Sequence, residues 1–202
     1  MLSLGETQDQ SQSAVGRRTF LIGTGAAAIG LVWLHFQNRE AVGAEAPSAE
    51  LPRMVTIAEF TDAGERKSTV TIARIVKTED QWRKQLSADS FEVTRRAGTE
   101  RPFTGENLNV YEKGVFRCIC CGTALFSFET KFESGTGWPS FWAPIAKENT
   151  LETGDSSWGI VRTAVSCRLC DAHLGHVFHD GPPPTGLRYC MNSVALRFAQ
   201  AT

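Results

Sequence analysis

The chain has 202 residues, 42% of them hydrophobic, with 21 Lys and Arg against 22 Asp and Glu. The formal net charge of −1 is the same with or without residues 1–44; it leaves no electrostatic footprint for nucleic acid and argues against a basic membrane-surface protein. The length fits one domain preceded by an N-terminal extension.

The first stretch reads as targeting. "GRRTFLIGTGAAAIGLVWLH" pairs Arg17 with Arg18, and an uncharged run of 15 residues follows, from Phe20 to Leu34. A spanning helix needs roughly 20 residues. Small residues in "AVGAEA" then offer cleavage after Ala44 or Ala46. Residues 1–44 therefore resemble a twin-arginine export signal, which predicts a protein delivered folded to the bacterial periplasm or cell envelope. No stable membrane association is expected once the leader is removed. The alternative is an uncleaved anchor.

Residues 45–76 read as a linker and a strand extension. "EAPSAELPR" is polar and contains proline, whereas "MVTIAEF" and "STVTIARIV" are β-branched and partly alternating. "TEDQWRKQLSADSFEVTRRAG" predicts a helix over its first half, opened by a capping box between Thr78 and Gln81. Trp82 and Leu86 share one face of it, and Gly98 closes the region. From Arg101 onward, short apolar runs are punctuated by Gly, Pro and Cys: "NVYEKGVFRC", "TALFSFETKF", "SWGIVRTAVSC", "LGHVFH" and "LRYCMNSVALRF". Such runs predict a mainly β, compact antiparallel domain over 77–202.

Six cysteines occur. Cys118 with Cys121, and Cys167 with Cys170, form two CxxC pairs, each followed by a turn residue. Four thiolates presented from two tight turns fill every position of a tetrahedral zinc ion, a structural arrangement. A disulfide framework, which export permits, is the competing reading. Cys190 stands apart in "GLRYCMNSVALRF". Arg188 and Asn192 flank it at the period of a strand face, and all histidines outside the leader lie in "AHLGHVFHD". A guanidinium and imidazoles beside a thiol predict a lowered pKa and a nucleophilic thiolate. A papain-like hydrolase does not fit, because no histidine follows Cys190.

Three segments resemble the B-type methionine-R-sulfoxide reductases: "KTEDQWRKQLSADSFEVTRRAGTERPFTGENLN", "CICCGTALFSFETKFESGTGWPSFWAPI" and "RTAVSCRLCDAHLGHVFHDGPPPTGLRYCMNSVALRF". "GWPSF", "HLGHVF" and "RYCMNS" are the most specific parts. The resemblance implies two small antiparallel sheets in a barrel-like domain with a short N-terminal helix, and a structural zinc knuckle pair away from the chemistry. It also implies thiol-dependent reduction of R-methionine sulfoxide in oxidised proteins, by way of a sulfenic acid on Cys190. By the same resemblance, His173 and His176 bind or protonate the sulfoxide oxygen, supported by Asp180. Trp138 receives the S-methyl group, and Arg188 and Asn192 position the thiolate. His179 is expected at the surface.

Many members carry a recycling cysteine in "SGCGWPSF", where this chain has Thr136. The cysteine left over is Cys120, whose sulfur would have to bring its Cα within roughly 4.4–6.8 Å of that of Cys190 to resolve it. The expectation is a one-cysteine cycle closed by an external thioredoxin-like or glutaredoxin-like thiol. Two other function classes, a zinc-knuckle binding module without catalysis and a thiol peroxidase, remain as alternatives.

Overall fold

A computed structural model describes residues 53–156 and 161–202. The expected leader and its cleavage sites lie outside the described residues, as does "SWGI" at 157–160. Glu50–Thr202 form one compact unit. No helix among the described residues is long and apolar enough to cross a membrane.

The chain opens with a hairpin of β1 (Met54–Phe60) and β2 (Arg66–Ala73), as the alternation predicts. Two helices follow, α1 (Glu79–Gln85) and α2 (Ala88–Arg96). The Thr78 hydroxyl accepts from the Gln81 amide at 3.3 Å, and the Gln81 side chain accepts from the Thr78 amide at 2.9 Å. The capping box is therefore as expected, and Trp82 is buried behind it. The second helix was not foreseen. Its start was legible all the same, because Ser87 caps it by accepting from the Ser90 amide at 3.1 Å. Asp89 then sits in its first turn, with Arg95 and Arg96 in its last.

The remaining strands form two further antiparallel sheets. One has three strands, in the order β11 (Leu196–Gln200), β3 (Gly114–Cys118), β4 (Ala124–Ser127). The other has six. It runs β5 (Lys131–Phe132), β6 (Ser140–Phe141), β10 (Arg188–Met191), β9 (His173–Phe178), β8 (Arg162–Cys167), β7 (Thr150–Asp155). Mainly β architecture with a short N-terminal helix is what the sequence predicted; α2 adds a second helix, and the hairpin adds a third sheet to the two expected.

The core lies between these two sheets. Phe116 and Phe126 come from the three-stranded one, and Phe141, Leu174 and Met191 from the six-stranded one, all at 0% exposure. The ring of Phe141 stacks on Phe126 at 4.5 Å and meets Phe116 edge-on at 5.0 Å. Along β10 the alternation is decisive. Tyr189 and Met191 enter this core, so Arg188 and Cys190 are turned to the opposite face.

The hairpin is fastened to the CxxC turns. Buried Asn149 clamps Ala58, accepting from its amide at 2.7 Å and donating to its carbonyl at 2.8 Å. Arg117, beside Cys118, donates to the Phe60 carbonyl at 2.9 Å and pairs with Asp62. In the second turn, Leu169 accepts from the Ile75 amide at 2.9 Å, and Asp171 pairs with Arg74.

Candidate active site and metal centre

Cys190 occupies the middle of a row of side chains running across the six-stranded sheet. Strand register sets Ser140 on one side of it and His176 on the other, with Ala164 beyond. Directly opposed residues share a face and stand within reach of each other. The turn before β6 folds over this row, bent by Gly135 (φ 70°) and Gly137 (φ 90°). It sets the Thr136 hydroxyl 3.9 Å from Cys190 Sγ and joins Ser134 to Ser140 at 2.7 Å.

His173 and His176 are three apart, so a regular strand would send them to opposite faces. A bulge corrects this. Val165 pairs with Gly175 but Ser166 pairs with His173, which leaves Leu174 as the extra residue. Both imidazoles then lie together, edge to face, with centroids 5.2 Å apart. Gly175 is obligatory here, because a Cβ on it would stand 2.1 Å from the Cys190 carbonyl oxygen.

The carboxylate at the imidazoles is Asp155, and Asp180 is not part of that cluster. His176 donates from Nε2 to Asp155 Oδ2 at 2.9 Å, and Arg162 pairs with the same oxygen at 3.1 Å. Asp180 instead holds Arg188 bidentately, at 2.9 and 2.8 Å. The direct contact with an imidazole is thus made by Asp155, while Asp180 is engaged by Arg188. Burial, with His176 nearby, pushes His173 down to about 4, so its imidazole is neutral near pH 7. Its Nε2 is buried with no hydrogen-bond partner among the described residues.

The Cys190 thiol also departs from expectation. Burial raises its pKa, and the Thr136 hydroxyl and the Arg188 guanidinium only partly oppose that. The sequence showed the cation but not the desolvation. Replacing Arg188 with Met removes one of the two opposing groups, so the midpoint of Cys190 alkylation against pH is expected to move upward. Iodoacetamide rates followed across pH by mass spectrometry would show it; an unmoved or lower midpoint would refute the role given to Arg188.

Asn192, expected to position the thiolate, follows directly on β10. It is buried, donating to the Leu174 carbonyl at 3.0 Å and accepting from the Glu100 amide at 2.9 Å. Glu100 was missed in the sequence. Its carboxylate accepts from the amides of Ser193 (2.6 Å) and Val194 (2.9 Å), and its carbonyl accepts from Trp138 Nε1 at 3.2 Å. One loop residue thus ties Trp138 to the segment just after Cys190. Nothing in its local sequence marks it, because the contacts span about 90 residues of chain. His179 is exposed, as expected.

Cys118, Cys121, Cys167 and Cys170 converge, their sulfurs all within 4.8 Å of one another. Cys118 and Cys170 are 3.7 Å apart and Cys121 and Cys167 3.6 Å apart, and all six thiols are free. A disulfide would require about 2.05 Å, so the disulfide framework is excluded for these pairs. Tetrahedral thiolate coordination with bonds of about 2.3 Å sets sulfurs about 3.8 Å apart. The donor set fits a metal ion held by four sulfurs. Cys120 sits at these turns, its thiol among Thr94, Cys118 and Cys170, whereas that of Cys190 lies against Thr136 and Arg188.

Residues 86–200 match the family model of the SelR domain. A peptide methionine sulfoxide reductase MsrB of Hahella chejuensis is 56% identical over 128 residues, covering 63% of this chain and 92% of the relative. One from Pseudomonas putida strain F1 is 55% identical over 61% of this chain and 94% of its own length. One from Herminiimonas arsenicoxydans is 50% identical over 62% and 91% respectively.

Proposed function

The chain belongs to the SelR-domain family of methionine sulfoxide reductases, and from that premise we infer that it reduces the R epimer of methionine sulfoxide in proteins. The observation that carries the inference onto particular residues is the shared row of Cys190 and His176, with the Thr136 turn and Trp138 beside it. In this reading Cys190 Sγ attacks the sulfoxide sulfur. The oxygen ends on Cys190 as a sulfenic acid, and the thioether of methionine departs. His173, neutral and with a free buried ring nitrogen, is the donor left for the sulfoxide oxygen as that oxygen gains negative charge. Asp155 holds the neighbouring His176, and Asp180 holds Arg188 where it favours the thiolate. Trp138 offers its ring to the S-methyl group.

The decisive experiment supplies separated R and S epimers of a sulfoxide peptide with dithiothreitol. Turnover of R alone is expected. Equal turnover of both, or consumption of hydrogen peroxide in preference to either, would favour the thiol peroxidase. No turnover at all would favour the binding module.

The sulfenic acid is cleared by an external thiol, thioredoxin-like or glutaredoxin-like. One thiol forms a mixed disulfide with release of water, and a second thiol regenerates Cys190. Thr136 marks where an internal partner is lacking, since its oxygen is already 3.9 Å from Sγ. Thr136→Cys is expected to form a disulfide to Cys190 after one turnover without reductant. Mass spectrometry should then show the variant crosslinked and the wild type trapped by dimedone. A variant that still labels fully with dimedone would refute this placement.

Cys118, Cys121, Cys167 and Cys170 would hold one structural zinc ion, whose contribution is to fix the two CxxC turns to each other. Export to the bacterial periplasm or envelope is also part of the proposal. The paired Arg17 and Arg18 and the short apolar run after them support it. Finding the protein in the cytoplasmic fraction alone would refute it.

A further inference from the structure

Phe103 is the most exposed aromatic residue among the described residues, at 68%. Its backbone has φ 64°, a region that bulky side chains avoid. Exposure and strain together go unexplained by packing, since neither contributes to the core. What holds the residue is the active-site turn. Its amide donates to the Gly137 carbonyl at 2.8 Å. Its ring lies so close over Gly137 that a Cβ there would stand 2.9 Å from ring carbons. Gly137 separates Thr136, which touches Cys190, from Trp138. The strain therefore fixes an apolar ring one residue from both flanks of the reacting centre.

We propose that Phe103 forms a subsite for an apolar side chain directly adjacent to the methionine sulfoxide in an oxidised polypeptide. The inference rests on the sulfoxide reductase reading and extends it to substrate choice. A chain whose sulfoxide reaches Cys190 carries its neighbouring residues within about 3.8 Å per step of the backbone. Phe103, exposed and held against Gly137 beside Thr136, stands next to the place such a neighbour would take. Its face offers apolar contact and no hydrogen-bonding group, so it discriminates by hydrophobicity, not by charge.

The test compares two R-sulfoxide peptides, identical except for leucine or aspartate on both sides of the oxidised methionine. The wild type is expected to favour the leucine peptide in kcat/KM by roughly three- to tenfold, the scale of one apolar contact with an aromatic ring. Phe103→Ser should bring that ratio close to one, and Phe103→Trp should preserve it. A ratio near one in the wild type, or one that survives in Phe103→Ser, overturns the subsite while leaving sulfoxide reduction standing. A wild type that reduces no R sulfoxide overturns both. Because the side chain is exposed, circular dichroism of the variants should match that of the wild type.

Discussion

Cys190→Ser is expected to lower R-sulfoxide turnover by on the order of 10⁴-fold or more, the scale seen when a covalent nucleophile is removed. The size follows from the bond that must form. Moving the sulfoxide oxygen onto a thiolate sulfur makes a sulfenic acid, whereas moving it onto a hydroxyl oxygen would make a peroxide. The serine hydroxyl is also far less ionised near neutral pH than any cysteine thiol. Structure does not confuse the result. Cys190 faces away from the core and its side chain is only half-buried, so exchanging sulfur for oxygen leaves packing in place. Metal content and thermal midpoint should stay at wild-type values while turnover vanishes. Retention of even a tenth of the activity would place the reacting sulfur elsewhere and dismantle the mechanism.

The second large effect is on stability. Replacing Cys118 or Cys170 with serine, or stripping the metal with a chelator, is expected to abolish the cooperative thermal transition near room temperature. Structural zinc contributes on the order of 10 kcal/mol in small peptides, against about 5–15 kcal/mol of total stability in an ordinary domain. Here the four sulfurs join two sheets. Cys118 ends β3 of the three-stranded sheet and Cys167 ends β8 of the six-stranded one. Circular dichroism melts paired with elemental analysis would measure it. One metal ion per chain and a lost transition on its removal are expected. An unchanged melt in the metal-free protein would show that the sulfurs pack without needing an ion.

Much of this was legible locally. The capping box at Thr78, the strands and the CxxC pairs each depend on residues close in sequence, where propensity and turn chemistry act directly. The same holds for Cys190 lying on a different face from Tyr189 and Met191. What stayed hidden depends on chain segments meeting. Asp171 and Asp180 bracket the histidine segment in sequence, yet the carboxylate that reaches His176 is that of Asp155, brought there by the register of β7 on β8 and of β8 on β9. The bulge at Leu174 is equally silent, although the three-residue spacing of His173 and His176 hints at it. Glu100 and the partners of Asn192 were beyond reach because these contacts lie across the fold. The raised Cys190 pKa was misjudged because sequence reveals neighbouring charge but not the water that folding removes.

The clamp between hairpin and CxxC turns makes the hairpin depend on residues far along the chain. The hairpin is synthesised early, yet a two-stranded ribbon alone is marginal in water, and β2 is largely exposed. Its anchors are Asn149, Arg117, Leu169 and Asp171, so Ala58 waits for a residue 91 positions later. The amino end of the domain should therefore be last to gain protection from hydrogen exchange, and only in molecules whose four-sulfur site has already closed. Because the hairpin is tied down by residues much later in the chain, its amides would serve as a built-in reporter of maturation.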